Sequence, residues 1–229
     1  MKSIRREPLL LYMLVIPPVM VLVLRLVLPR ATTYLSENLG FDLLPYYPML
    51  LSFFFVLQIP LLFGVLVGLL VLDERDADTL TALRVTPISM RGYALYRGAG
   101  AVLLSFVYVL LALLLCGFVS PSLAVVAVAL LAGLMAAVFA LTVATFASNK
   151  VEGLALTKGL SVFMLGPLAA YFVPTNWQLF FGLLPTYWPA KTFWVAGEGG
   201  NFWPYALGGL IYSVLLLPLL LRRFRRKVF

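Results

Sequence analysis

Histidine is absent from this chain of 229 residues, and cysteine occurs once, at Cys116. The missing imidazole removes the commonest general base, the commonest zinc ligand and the partner of any Ser–His or Cys–His nucleophile. A single thiol excludes an internal disulfide and a thiolate metal cluster. Charge is scarce as well: 11% of residues are Asp, Glu, Lys or Arg, against roughly 25% in a soluble domain. No GxxxxGK[ST] run occurs, so the chain has no P-loop to cradle a nucleotide. A hydrolase built on this sequence would have to work from lysines and carboxylates, and the long apolar stretches hold almost none.

Apolar length is what the chain has instead. Apolar residues make up 63% of the sequence and the mean hydropathy is +1.04. Six runs, at about 9–28, 46–72, 94–119, 122–147, 154–173 and 203–221, are each long enough to cross a hydrocarbon core of about 30 Å. The expected fold is therefore all-α, a polytopic membrane protein of six transmembrane helices forming one transmembrane domain over 1–229. The first run is too long for a removable signal peptide, and no small-residue cleavage site follows it. Six spans put both termini on one side, and the basic residues say which. Fourteen of the 17 lysines and arginines fall on the termini's side, counting Lys158 in a short link over 148–158, and only Arg25, Arg30 and Lys191 fall on the other. This asymmetry places the termini in the cytoplasm of a plasma membrane. The acids divide six to three, so the whole net charge of +8 lies on the inner side. The closing RRFRRK follows a span directly, which favours anchoring on anionic lipid headgroups over nucleic acid.

Between the second and third runs lies a polar island, DERDADTLTALRVTPISMRG, from Asp73 to Gly92. Its pattern predicts a short cytoplasmic helix. Asp73, Glu74, Asp76 and Asp78 crowd the first turns, where the macrodipole favours negative charge. Arg84 lies near the end, and Pro87 stops the helix by forcing Thr86 out of the α region. Leu80 and Leu83 share a face by helical spacing. A second short inner link holds Asn149, Lys150 and Glu152. On the far side, 29–45 reads as a short polar loop and Ser120-Pro121 as a tight turn. The segment 174–201 is rich in Trp, Phe, Tyr, Pro and Gly, too broken to span, and reads as interfacial or re-entrant helices.

These segments resemble the type-2 ABC transporter permeases, and among them most closely the small bacterial permeases that export fluoroquinolones. The resemblance rests on RREPLLLYML at the N-terminus, LDERDADTLTALRVTPISMRGYALYR after the second span, SNKVEGLALTKG after the fourth and LLPTYWPAK before the sixth. It implies a coupling helix between spans 2 and 3 and two re-entrant helices capping the outer end of the pathway between spans 5 and 6. It also implies a transporter subunit that is not itself an enzyme, in a bacterial membrane. Transport would be powered by two separate cytosolic ABC ATPase subunits, which carry the ATP and Mg, with a second permease chain, identical or sister. No cofactor or metal is expected on this chain. The ATPase-coupling residues would be Asp73, Glu74, Asp76, Asp78, Thr79, Leu80, Leu83, Arg84, Thr86 and Pro87, with Asn149, Lys150 and Glu152. The cargo would be a hydrophobic or amphipathic small molecule, drug- or lipid-like.

A few residues stand out inside or beside the spans. Arg25 either snorkels to the outer interface or lines the export path. Gln58, followed by Pro60, either bonds a neighbouring helix or faces a substrate cavity. Tyr187, Trp188 and Lys191 are candidates for the outer pathway, while Lys191, Glu198 and Asn201 also suit plain interfacial solvation. Gly64, Gly68, Gly98 and Gly133 would let helices approach closely. The rival function is a membrane-embedded enzyme acting on lipid or isoprenoid groups, with Asp73, Asp76 and Asp78 holding a hard cation. It lacks a second acidic cluster facing the first. A proton-coupled transporter would want ionisable groups at midplane, and none is expected there.

Overall fold

The computed structural model describes residues 8–76 and 90–228. Every described element is helical, and six stretches are long and apolar enough to cross a membrane: Tyr12–Leu39, Leu44–Asp76, Leu95–Leu115, Leu123–Phe146, Lys150–Tyr171 and Trp203–Arg226. The six expected spans are thus all present. We label the helices α1 (Pro8–Leu39), α2 (Tyr47–Leu51), α3 (Gln58–Asp76), α4 (Met90–Leu115), α5 (Leu123–Phe146), α6 (Lys150–Val162), α7 (Leu165–Tyr171), α8 (Thr175–Gln178), α9 (Tyr187–Gly197) and α10 (Trp203–Val228).

Helix α5 is the hub, packing against α3, α4, α9 and α10. Its sequence explains the position: apart from Thr142 and Thr145 it is apolar all round, and such a helix belongs inside a bundle. Contact with α3 is backbone-close. A Cβ on Gly64 would lie 2.6 Å from the Ala136 carbonyl oxygen, and one on Gly68 2.7 Å from Val143 Cβ. Gly133 meets α4 in the same way, 2.8 Å from the Val102 carbonyl. Small residues at these three positions let helices touch where no hydrophobic effect drives them together. Gly98 departs from the expectation, since nothing lies within 4 Å of its Cβ position.

Prolines shape the spans by the carbonyls they leave free. Pro60 cannot donate to Val56, and the chain widens into a π-turn over Ser52–Leu57 just upstream. Pro167 cannot donate to Phe163, so the fifth span breaks between α6 and α7. The Thr186 hydroxyl donates to the orphaned Phe163 carbonyl at 2.8 Å.

Three boundaries differ from the sequence reading. Helix α1 does not stop at Leu28 but runs through Pro29 to Leu39, so the supposed polar loop over 29–45 is mostly helix. It ends where Gly40 takes a φ of 63°, a conformation that glycine adopts without strain. Asp73, Glu74 and Asp76 do not open a separate short helix; they form the last turn of α3 in the described range. The inner link near 150 is only three residues long, because α6 starts at Lys150 and carries Lys158 up into the span.

Candidate coupling joint at the charged end of the bundle

The chain has two unlike ends. One carries the start of α1, the end of α10, Asp73–Asp76 and the start of α6, and is rich in charge. The other carries the aromatic segment around α9.

At the charged end, Asp73, Glu74 and Asp76 sit on the last described turn of α3. Cations from two other helices, α6 and α4, compensate. Lys150 Nζ lies 2.8 Å from Asp73 Oδ2, and the Lys150 backbone N–H points at Asp76 Oδ2 at 3.4 Å. Glu74 pairs with Arg97 and accepts the Tyr93 hydroxyl, both from α4. Arg75 donates to the Ala147 carbonyl at 3.3 Å and also to that of Ser148, the turn that closes α5. That turn is itself organised: Asn149 Oδ1 caps α6 by accepting the Glu152 N–H at 2.9 Å. The Glu152 carboxylate reaches back to the Ser148 N–H at 2.7 Å, a capping box displaced by one residue. Helix α10 joins through Phe224, buried with Val71, Tyr93 and Ala144, while the Arg223 guanidinium lies 4.7 Å from the Phe146 ring centre. The basic tail is therefore partly packed against protein as well as basic.

Four consecutive acidic and basic residues at the tip of α3 thus tie α4, the α5–α6 turn and α6 into one ionic joint, from which the polar island departs. Of the coupling candidates, the joint contains Asp73, Glu74, Asp76, Asn149, Lys150 and Glu152. Asp78, Thr79, Leu80, Leu83, Arg84, Thr86 and Pro87 lie outside the described residues. The sequence reading missed Arg75, Tyr93 and Arg97. The four-residue spacing of Tyr93 and Arg97, on one face of a helix entering the membrane, was the available signal. Among the described residues no three acids or sulfurs converge as a metal site.

At the aromatic end, α9 is wedged between α5 and α10. Tyr187 is fully buried. Trp188 lies flat on the Gly208-Gly209 step of α10, where a Cβ on Gly208 would sit 2.4 Å from the indole, and its Nε1 donates to the Gly182 carbonyl at 3.0 Å. Trp194 Nε1 donates to Ser52 Oγ at 2.9 Å, locking α9 to the π-turn. Lys191 is 8% exposed, with its ammonium 5.5 Å from the Tyr205 ring centre. Burial holds its pKa below the usual lysine value, and Glu198 partly opposes that shift. Arg25 reaches sideways: its Nη1 donates to the Leu115 carbonyl at 2.9 Å, capping the last turn of α4. Gln58 is half-buried on a partly exposed stripe with Phe54 and Leu62 and makes no hydrogen bond to a described residue through its side chain.

Two sizeable cavities open in the bundle. One of about 370 Å³, near the aromatic end, is lined by Tyr47, Leu51, Phe118, Val125 and Phe193. Another of about 550 Å³ lies between α1, α3 and α4, beside Leu14, Leu66, Tyr96 and Arg97. Neither is lined by Arg25, Gln58, Tyr187, Trp188 or Lys191.

A multi-pass, all-α bundle with a packed aromatic end and an ionic charged end defines a polytopic membrane protein. The sequence profile of the fluoroquinolones export permease protein Rv2686c-like family matches residues 1–221, and the chain belongs to that family of bacterial export permeases. Two fluoroquinolones export permease proteins of Mycobacterium tuberculosis, from strains CDC 1551 / Oshkosh and ATCC 25618 / H37Rv, are each 39% identical to it over 225 residues. The match covers 97% of this chain and 89% of theirs. No solved structure matches.

Proposed function

We propose that this chain is the membrane-spanning permease subunit of an ATP-driven ABC exporter, powered by two separate ATPase subunits and paired with a second permease chain. The termini and the charged end face the cytoplasm, and the cargo is a hydrophobic or amphipathic small molecule of the fluoroquinolone kind. Membership of an export-permease family supports the reading, as does the charge asymmetry between the two ends. The observation that carries the coupling part is the ionic joint. A pull on the island where it leaves Asp76 reaches α4 through Glu74 and reaches α6 through Asp73 and Lys150, so one contact can tilt several spans together. This chain performs no covalent chemistry. It converts an ATPase closing motion into opening of a path toward the outside.

The test is disruption of the apolar anchor that this reading assigns to Leu80 and Leu83. Leu80→Asp combined with Leu83→Asp should leave membrane insertion intact, because both lie outside the spans, and should abolish co-purification with the ATPase and drug export. Ser36→Asp at the other end serves as the control and should do neither. Wild-type export by the double variant at wild-type abundance overturns the coupling assignment.

A further inference from the structure

Lys158 belongs to the fifth span, and its depth follows from packing. Gly153 of α6 touches Leu72 and Leu69 of α3, where its Cβ would lie 2.7 Å from Leu72 Cδ1 and 2.8 Å from Leu69 Cδ2. Helices α3 and α6 run in opposite directions, so five residues onward from Gly153 corresponds to five residues back from these two, about 7.5 Å in each case. That sets Lys158 level with the stretch of α3 from Gly64 to Val67. A lysine therefore sits about two helical turns inside the fifth span, counted from Lys150.

Its direction is as informative as its depth. Leu160 and Gly153 are buried and mark the face of α6 that packs on the bundle. Lys158 is two residues from Leu160, about 200° around the helix, and is exposed. Its stripe is otherwise apolar: Val151, Leu154, Val162 and Leu165 are each at least half exposed. Among the described residues Lys158 has neither an ion pair nor a hydrogen bond. Charged residues in spans face a protein interior or a water-filled path rather than lipid, and they mark substrate pathways.

The partner of this ammonium does not come from this sequence. All nine acids lie at the ends of the spans or in the links. Asp73, Glu74, Asp76 and Glu152 are at the charged end, and Glu7 and Asp78, outside the described residues, are within two positions of Pro8 and Asp76 in the sequence. Glu37, Asp42 and Glu198 belong to the opposite end. A second copy laid on this face brings another lysine to the same depth, not a carboxylate. The charged layer at Lys150 is about 12 Å away along α6, roughly twice the reach of a snorkelling lysine.

We propose that the Lys158 ammonium holds the anionic group, carboxylate or phosphate, of an amphipathic cargo in a water-filled path along the outward face of α6. The inference rests on the export-permease reading and narrows its cargo to molecules with an apolar body and one negative group. The apolar stripe around Lys158 takes the body and the lysine takes the charge.

The experiment uses the full chain co-expressed with its ATPase and compares a fluoroquinolone with its ethyl ester, which lacks only the free carboxylate. Lys158→Met should lower export of the acid at least tenfold at subsaturating concentration and leave export of the ester within about twofold of wild type. Lys158→Arg should retain acid export. Equal losses for acid and ester, or no loss for either, overturn the proposal. If the anion were a lipid headgroup, Lys158→Met would change thermal stability only in vesicles containing phosphatidylglycerol and not in pure phosphatidylcholine, with the acid-to-ester ratio unaltered, which also overturns it. A second arm is independent of drug export. In a Cys116→Ser background, Lys158→Cys should react with a membrane-impermeant methanethiosulfonate, and an unreactive thiol there refutes the water-filled path. Failure of wild type to export either form would instead count against the drug-export reading, leaving the thiol arm to decide the fate of Lys158.

Discussion

Replacing Gly64 by alanine tests the seam on which the bundle is built. The added methyl group would sit 2.6 Å from the Ala136 carbonyl oxygen and 2.7 Å from Phe139 Cβ, against about 3.5 Å for relaxed contacts. One of these atoms is backbone and the other is a Cβ fixed to it, so neither can rotate aside. Helix α3 must retreat from α5 by about 0.7–1 Å, and a gap of that size forfeits a quarter to a half of each neighbouring dispersion contact. Overpacking of this kind costs about 1–3 kcal/mol, offset by about 1 kcal/mol because alanine is the better helix former. The net expectation is a destabilisation of up to about 2 kcal/mol. Gly98→Ala is the matched control. With nothing within 4 Å, it keeps only the helix-forming gain and should be neutral or more stable by up to about 1 kcal/mol. Denaturant unfolding in detergent micelles, followed by tryptophan fluorescence, reads both. Export should fall in Gly64→Ala and persist in Gly98→Ala, since α3 carries the joint and α5 is the hub it presses on. Equal stability of the two variants would refute the close α3–α5 seam.

Glu74→Gln removes the carboxylate that Tyr93 and Arg97 share. A partly exposed charged contact of this type is worth about 1 kcal/mol once screening is allowed for, so the variant should insert and fold yet couple poorly, with ATPase activity retained and export reduced. Retention of full export would show that the joint is only structural. Lys191, whose charged form is disfavoured by burial, binds fewer protons folded than unfolded between its lowered pKa and 10.5. Through this group, stability should rise with pH across that window. Lys191→Met should abolish the rise in an alkaline unfolding series, and an unchanged slope would refute the assignment. For orientation, Ser36→Cys in intact cells should react with impermeant reagents while Ser148→Cys should not. The reverse pattern would invert the bundle.

The number of spans, their approximate places and the membrane itself were legible in the sequence, because apolar length against bilayer thickness is a local property. The all-round apolarity of Leu123–Phe146 likewise announced the central helix, and the order of short motifs along the chain announced the family. Tertiary structure decided what depends on partners distant in sequence. Pro29 looked like a boundary, yet α1 passes through it; one proline removes a single hydrogen bond, and a helix whose other bonds are intact continues. Asp73–Asp76 looked like the favoured N-terminal turn of a new helix, and instead they continue α3 to the edge of the described residues. Their stabilisation comes from Lys150, Tyr93 and Arg97, which helical periodicity along one segment cannot pair with them. Gly98 and Gly64 read identically in sequence, and only the packing of α3 on α5 separates a contact glycine from a free one. Lys158 counted as one more basic residue of an inner link until the α6 capping box at Asn149 and Glu152 set the start of the helix. A charge near a boundary takes its meaning from depth, and depth is fixed by how neighbouring helices pack.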